Sequence, residues 1–285
     1  MSAKIISLPA AAYHADPALK PSLSNSIAKI LIEQSPAHAW LQHPRLNPNY
    51  VPDPNSKFDL GSAAHVMLLE RRDDCIVRVN ADDWRTKAAR EARDAAQANG
   101  QYAVLERQYA DIEAMVRAAR DFINDTELAG IFETGEAEQT ILWQEGNAHI
   151  RIRPDLISAD RTVILDYKTT PSANPDAFIA QIGRMAYDLQ AELYTCGVAA
   201  LTGSEPQFVF LCQENEAPYA CSLVALSESY RIVGKQKVKR ALKLWSECMT
   251  TNAWYSYSNK IAYAEPKPWV LMQAEELAVA EEEAG

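Results

Sequence analysis

Asp155, Asp166 and Lys168 form the pattern in this chain that could do chemistry: an Asp closing one β-branched run, then an Asp and a Lys two residues apart in the next. Residues 150–157 read IRIRPDLI and residues 163–168 read VILDYK, with the polar turn Ser158, Ala159, Asp160 and Arg161 between them. Alternate side chains of a strand share a face, so Asp166 and Lys168 project together while Val163, Leu165 and Tyr167 point the other way. An antiparallel hairpin brings Asp155 toward the same edge. Two carboxylates are hard oxygen ligands of the kind Mg²⁺ prefers, and an ammonium beside them can orient a water and offset charge on an attacked phosphate. A plain hairpin with Asp at its turn and Lys on its solvated face would read the same way, so the pattern needs support from elsewhere in the chain.

Four other segments bear on it. Residues 58–70 have helical periodicity and an apolar stripe, with Gly61 and Ser62 one turn before His65 on its face; a lone His there is more often a packed core residue. Gln190 and Tyr194 are four apart in an amphipathic run over 176–201 and face the same way, with Tyr187 one turn earlier, a spacing any helix can hold. Glu138 heads the alternating run 138–145, a predicted strand just before the hairpin, where a solvent-facing Glu is the commoner reading. At the N-terminus, Tyr13 to Asp16 are followed by Ser24 or Ser26 as a helix N-cap and by Pro36 opening the next helix after Ser35, so capping accounts for them.

Taken in order, His65, Asp155, Asp166-Tyr167-Lys168 and Gln190-x-x-x-Tyr194 resemble the signature of the PD-(D/E)XK nuclease superfamily. The N-terminal stretches resemble the start of the RecE-like (exonuclease VIII type) domain of phages and prophages, here without the long N-terminal extension some members carry. The likeness runs from about Tyr13 to Trp254. It implies a metal shell of His65, Asp155, Asp166 and the Tyr167 carbonyl, with Glu138 as a further candidate, and Gln190 and Tyr194 lining the cleft with catalytic Lys168. Mg²⁺ is the implied cofactor, and the imidazole makes Mn²⁺ a plausible substitute. The implied activity is a metal-dependent exodeoxyribonuclease that resects double-stranded DNA ends, 5′ to 3′, leaving 3′ tails for a RecT-like annealing protein. A homotetrameric ring is the implied assembly. The rivals are an endonuclease or CRISPR-adaptation-type nuclease of the same superfamily, and a non-catalytic DNA-binding protein of the same fold.

Around these residues the order of elements reads as helices to about residue 130, strands over 138–168, a long helix from 176, a strand pair over 206–213 and 219–226, and a helix begun by Ser227. Residues 84–99 and 104–124 favour two helices broken near Gly100. The fold class is therefore α/β, a mixed central sheet flanked by helices with a helical N-terminal region. With no linker-like stretch in 285 residues, a single domain is expected over 1–270, divided into a helical part (1–135) and a nuclease core (136–270), before a disordered acidic tail at 271–285. No run approaches eighteen apolar residues and no signal-peptide order opens the chain, so a cytoplasmic protein is expected. Cysteines 75, 196, 212, 221 and 248 form no C-x-x-C pair, which argues against a zinc site or an iron–sulfur cluster.

A formal charge of −10 is unusual for a protein that must approach phosphates. Its distribution is uneven: residues 231–243 hold six positive residues and no acid, while Glu275, Glu276 and Glu281 to Glu283 concentrate negative charge at the end. A basic helix is usually a solvated face. Beside a metal-nuclease core, Lys235, Lys237, Lys239 and Arg240 become candidate phosphate contacts.

Overall fold

A computed structural model describes residues 3–51 and 60–284. Phe58, which opens the segment leading to His65, lies outside the described residues. The chain forms one compact unit from its start to Tyr255 and a second from Ser256 onward.

In the first unit the elements are β1 (Lys4–Ser7), α1 (Ala10–His14), β2 (Ser22–Leu23), α2 (Asn25–Glu33), α3 (Pro36–Leu41) and α4 (Leu60–His65), which continues as a π-helical turn (Val66–Glu70). Then come β3 (Ile76–Val79), α5 (Lys87–Ala98), β4 (Tyr102–Leu105), α6 (Glu106–Asn124), α7 (Ile131–Thr134), β5 (Glu136–Ala137), β6 (Gln139–Glu145) and β7 (Ala148–Ile152). The remainder is β8 (Leu156–Ile157), β9 (Val163–Thr170), α8 (Pro175–Met185), α9 (Tyr187–Thr202), β10 (Gln207–Glu214), β11 (Cys221–Ala225) and α10 (Glu228–Thr251). Ser24 and Ser227 are the N-caps of α2 and α10, each accepting from the amide three residues on, and Pro36 is at the first position of α3.

The strands form two larger sheets. One has the order β1-β6-β7-β2, the other β11-β10-β9-β8-β5. In the second, β9 and β10 run parallel and are joined by the α8–α9 crossover, while the other pairs are antiparallel. Alternation along β9 and β10 separates two apolar layers. Ile164, Phe208 and Phe210 pack with α8, α9 and α10, and Leu165, Tyr167, Val209 and Leu211 pack with α4 and α6.

The sequence expectations need three corrections here. The N-terminal 135 residues are not all helical: β1 and β2 cover the two edges of the β6–β7 ribbon, and β3 pairs in parallel with β4. An edge strand's unpaired amides and carbonyls need such partners, and the β-branched pair Ile5–Ile6 supplies one. The run 176–201 is two helices, broken at Ala186, whose φ of +57° is left-handed. The free carbonyl of Met185 there accepts from Lys29 Nζ at 3.1 Å, a cation at a helix C-terminus. Finally, the compact unit ends at Tyr255 rather than near 270, and the expected disordered tail contains α11 (Pro268–Ala284), rich in Ala, Glu and Leu with proline only at its start.

Candidate active site

The residues 138–140 and 153–155 lie between two ladder pairs that belong to different sheets, Ala137 with Leu156 and Ile141 with Ile152. The ribbon therefore turns a corner there. Pro154 has no amide to donate, which breaks the ladder, and Glu138 takes a left-handed backbone at φ +54°. The Glu138 amide still donates to the Asp155 carbonyl at 3.1 Å, and Arg153 Nε bonds both the Glu138 carbonyl (3.1 Å) and its carboxylate (2.9 Å). The corner thus holds Glu138 and Asp155 side by side. Asp155 is fixed further by the Tyr167 amide, which donates to its Oδ2 at 2.9 Å just where β8 stops pairing with β9. In a strand the amide and carbonyl of one residue leave on the same side, so the Tyr167 carbonyl faces this edge too.

His65 closes α4 with its Nε2 3.4 Å from Asp155 Oδ2 and 3.5 Å from Glu138 Oε1. The π-helical turn that follows brings in a residue that sequence reading did not assign to the site. Five positions apart on an α-helix, His65 and Glu70 would point about 140° away from each other. The wider i→i+5 turn over Val66–Glu70 reduces that offset. Ligating atoms of His65, Glu70 and Glu138 all lie within 4.8 Å of one another, the group of this kind found among the described residues.

On β9, Asp166 and Lys168 project toward α9 as alternation requires. The Lys168 ammonium contacts Asp166 Oδ2 and lies 5.4 Å from the Tyr187 ring centroid. Gln190 Nε2 donates to the other Asp166 oxygen at 2.7 Å. Such precision depends on how tightly α9 is seated. A Cβ at Gly197 would stand 2.4 Å from Ile152 Cδ1 and 2.9 Å from Trp143 Cζ3, so only glycine allows the helix this close to β6 and β7. Tyr194, one turn after Gln190, is buried with its ring edge toward Phe208 at 6.2 Å. Burial raises its phenol, with the charges of Asp155 and Asp166 adding to the rise and the Gln190 side chain opposing it.

The electrostatics are those of an acidic cluster with too few cations. Burial, then the charge of Asp155, pushes Glu138 up to about 7. Burial pushes Asp166 to about 7 as well, with Asp155 adding to the rise and Lys168 opposing it. Burial alone would lower His65, but the charge and hydrogen bond of Asp155, with Glu138 behind it, lift it to about 9. Asp155 is drawn below the ordinary carboxylate range: burial opposes this, and His65, Lys168 and the Tyr167 amide outweigh it. Lys168 is raised by Asp166 and Asp155 against its own burial.

The family described as a PDDEXK-like domain of unknown function (DUF3799) matches residues 24–267. The chain belongs to this family. Among solved structures, this DUF3799 chain is similar to a candidate exonuclease from Eubacterium rectale, with a TM-score of 0.56 at 12% identity, covering 93% of this chain and 98% of that one. It also matches an alkaline exonuclease from Laribacter hongkongensis (TM-score 0.31, 15% identity, 67% of this chain and 96% of that one). A third match is a phage-related exonuclease from Haemophilus somnus 129PT (0.27, 13%, 59% and 90%). No curated protein matches in sequence. The fold is thus the PD-(D/E)XK, restriction-endonuclease-like one, with a mixed sheet and flanking helices.

Of the residues singled out in the sequence, the DUF3799 fold brings His65, Glu138, Asp155, Asp166, Tyr167, Lys168 and Gln190 to one corner, with Tyr194 one turn of α9 beyond Gln190. It does not leave the basic helix free. Lys237 Nζ is bound by both oxygens of buried Asp188 (2.8 and 2.6 Å), and Lys235 lies 3.4 Å from Glu205. Arg231 pairs with buried Glu192 and with Glu205. Lys237 and Arg231 thus answer buried acids on α9 and tie the two helices together, whereas the Lys235 pair with Glu205 is exposed on both sides. Lys239 and Arg240 are exposed.

The donor set fits a hard divalent cation. It is carboxylate-rich with one imidazole, and burial, with the charge of Asp155 adding to it, raises both Glu138 and Asp166 to about 7. Among the described residues no helix is long and apolar enough to cross a membrane.

Proposed function

We propose that this chain is a metal-dependent exodeoxyribonuclease of the RecE-like type, acting on double-stranded DNA ends from 5′ to 3′ and leaving 3′ single strands. The observation that carries the reading is the convergence of Asp155, from the bend before β8, and of Asp166 and Lys168, from β9, with His65, Glu70 and Glu138 at one corner. His65, Glu138, Asp155 and Asp166, with Glu70 and the Tyr167 carbonyl, would hold one or two Mg²⁺ ions, or Mn²⁺. The metal supplies an acidified water and charge stabilisation on the attacked phosphate and leaving oxygen. Lys168 holds the attacking water and offsets negative charge developing on the phosphate. Gln190 keeps the Asp166 carboxylate turned toward the site, and Tyr194 packs one turn further along α9. Lys235, Lys239 and Arg240 are the part of the basic helix that can still meet DNA.

The Eubacterium rectale protein supports this only through the shared fold. A RecT-like annealing protein would take the product, a homotetrameric ring would encircle the duplex, and the enzyme would work in the cytoplasm. The test is digestion of a linear duplex labelled separately at its 5′ and 3′ ends, with a closed circle as control. Loss of the 5′ label first, with the circle intact, is the expected result. Cutting of the circle would make the protein an endonuclease, and DNA binding without shortening in any divalent metal would make it a non-catalytic binder.

A further inference from the structure

Three cavities are strung through the acidic corner. One of about 410 Å³ is walled by His65 and Lys168. A second, of about 670 Å³, reaches Glu70, Glu138 and Arg153 and shares Tyr102 with the first. A third, of about 630 Å³, shares Gly61 and Thr169 with the first and ends against Trp84 and Arg93. Their shared walls set them in a row, with His65 and Lys168 at the middle and Glu70 and Glu138 at the end away from Trp84.

The far end is built for more than water. Trp84 precedes α5, is half-buried against the small apolar cluster under that helix, and still lines the cavity. The Arg93 guanidinium stands 5.8 Å from its ring centroid. Residues 82–94 balance Arg85, Lys87, Arg90 and Arg93 against Asp82, Asp83, Glu91 and Asp94, and Arg93 is the charged side chain of this segment that lines the cavity. Arg85, Lys87 and Arg93 have acidic neighbours in Asp83, Glu91 and Asp94, but these pairs are largely exposed and worth little in water, so phosphate can replace them. On α10, by contrast, Lys237 is tied to a buried acid.

We propose that this row of cavities takes a single strand of nucleic acid, with a base stacked on Trp84 and a phosphate on Arg93, while another phosphate of the same strand lies at Lys168. An indole face needs an unstacked base, which a duplex does not offer, and an aromatic platform with a cation beside it is how single strands are held without regard to sequence. The event at Lys168 rests on the nuclease reading; the binding does not.

The test uses the full chain and a dye-labelled oligothymidylate in EDTA, read by fluorescence anisotropy, beside hydrolysis of thymidine 5′-p-nitrophenyl phosphate with Mg²⁺, a small diester that reaches only the acidic corner. Trp84→Ala and Arg93→Gln should each weaken oligothymidylate binding by roughly 10-fold, Trp84→Phe should restore most of it, and small-diester hydrolysis should be unchanged. Arg93→Gln, at a half-exposed side chain, and circular dichroism guard against loss of fold in Trp84→Ala. Wild-type affinity in folded Trp84→Ala and Arg93→Gln, or an equal loss for an intact duplex, would overturn the proposal while leaving the nuclease reading untouched. Weakened strand binding with no diester hydrolysis by the wild type would support the strand site and sink the nuclease.

Discussion

His43 and His65 each place Nε2 3.4 Å from an aspartate, and the two rings go opposite ways. His43 belongs to a buried knot in which Asp16 accepts from the Ser22 amide (2.8 Å) and hydroxyl (2.6 Å), with Arg151 at 3.3 Å and Arg45 at 3.8 Å. Burial first, with the charge of Arg151, drops His43 to about 4, so it is a neutral ring donating to the Ser22 carbonyl at 3.1 Å and accepting from the Arg45 amide at Nδ1. At the corner, Asp155 and Glu138 instead lift His65 to about 9. The knot has a cation for its acid and holds the N-terminal strands to β7. The corner has an excess of acid that the fold itself does not neutralise. Balanced charge marks structure here, and unbalanced charge marks the place for a ligand.

Arg151→Met strikes the balanced region. It leaves Asp16 with only half-exposed Arg45 as a cationic partner, and urea unfolding should show a loss of about 3–5 kcal/mol with hydrolysis per folded molecule retained. Lys168→Ala strikes the other: the rate on DNA should drop on the order of 10²- to 10³-fold per folded molecule, with the circular dichroism spectrum retained. A wild-type rate would mean the catalytic centre is misassigned. Glu70→Gln should weaken Mn²⁺ binding roughly 10-fold by calorimetry, whereas Asp16→Asn should leave it alone.

The smallest effect is a slope with pH in the metal-free protein. Glu138 and Asp166, with ordinary values of 4.5 and 3.8, stay protonated in the fold up to about 7, so ionising them costs stability as pH rises through that window. His65 stabilises fully below 6.5 and loses that contribution as pH rises through about 9. The depressed Asp155 acts only at the acid end, its contribution being present above 3.8. The melting midpoint should therefore fall from pH 5 to pH 9, less steeply in Glu138→Gln, and saturating Mg²⁺ should offset the fall because metal binds the deprotonated ligands.

Much of the corner was legible because β-strand alternation is strict: Asp166 and Lys168 had to share a face, and the Ser158–Arg161 turn returns the chain to pair Leu156 with Leu165. Glu70 was not, since α-helical spacing turns it away from His65 and nothing in VMLLE announces a π-turn. The corner is not announced by the β-branched run 150–157, because the switch between sheets depends on partners far away in sequence. The ties of the basic helix are hidden for a related reason: Arg231 and Lys237 look free in the sequence, and only the fold shows Glu192 and Asp188 buried beneath them, on a helix whose burial on nearly every side no periodicity reveals.

Asp155 touches every part of the account: the corner, the imidazole, the Tyr167 amide and the neighbouring acids. The most direct measurement is digestion of a linear duplex by wild type and Asp155→Asn, each with Mg²⁺ and with EDTA. The account predicts shortening by the wild type with Mg²⁺ alone and none by a folded Asp155→Asn. Equal rates from the two proteins, or digestion in EDTA, would contradict it.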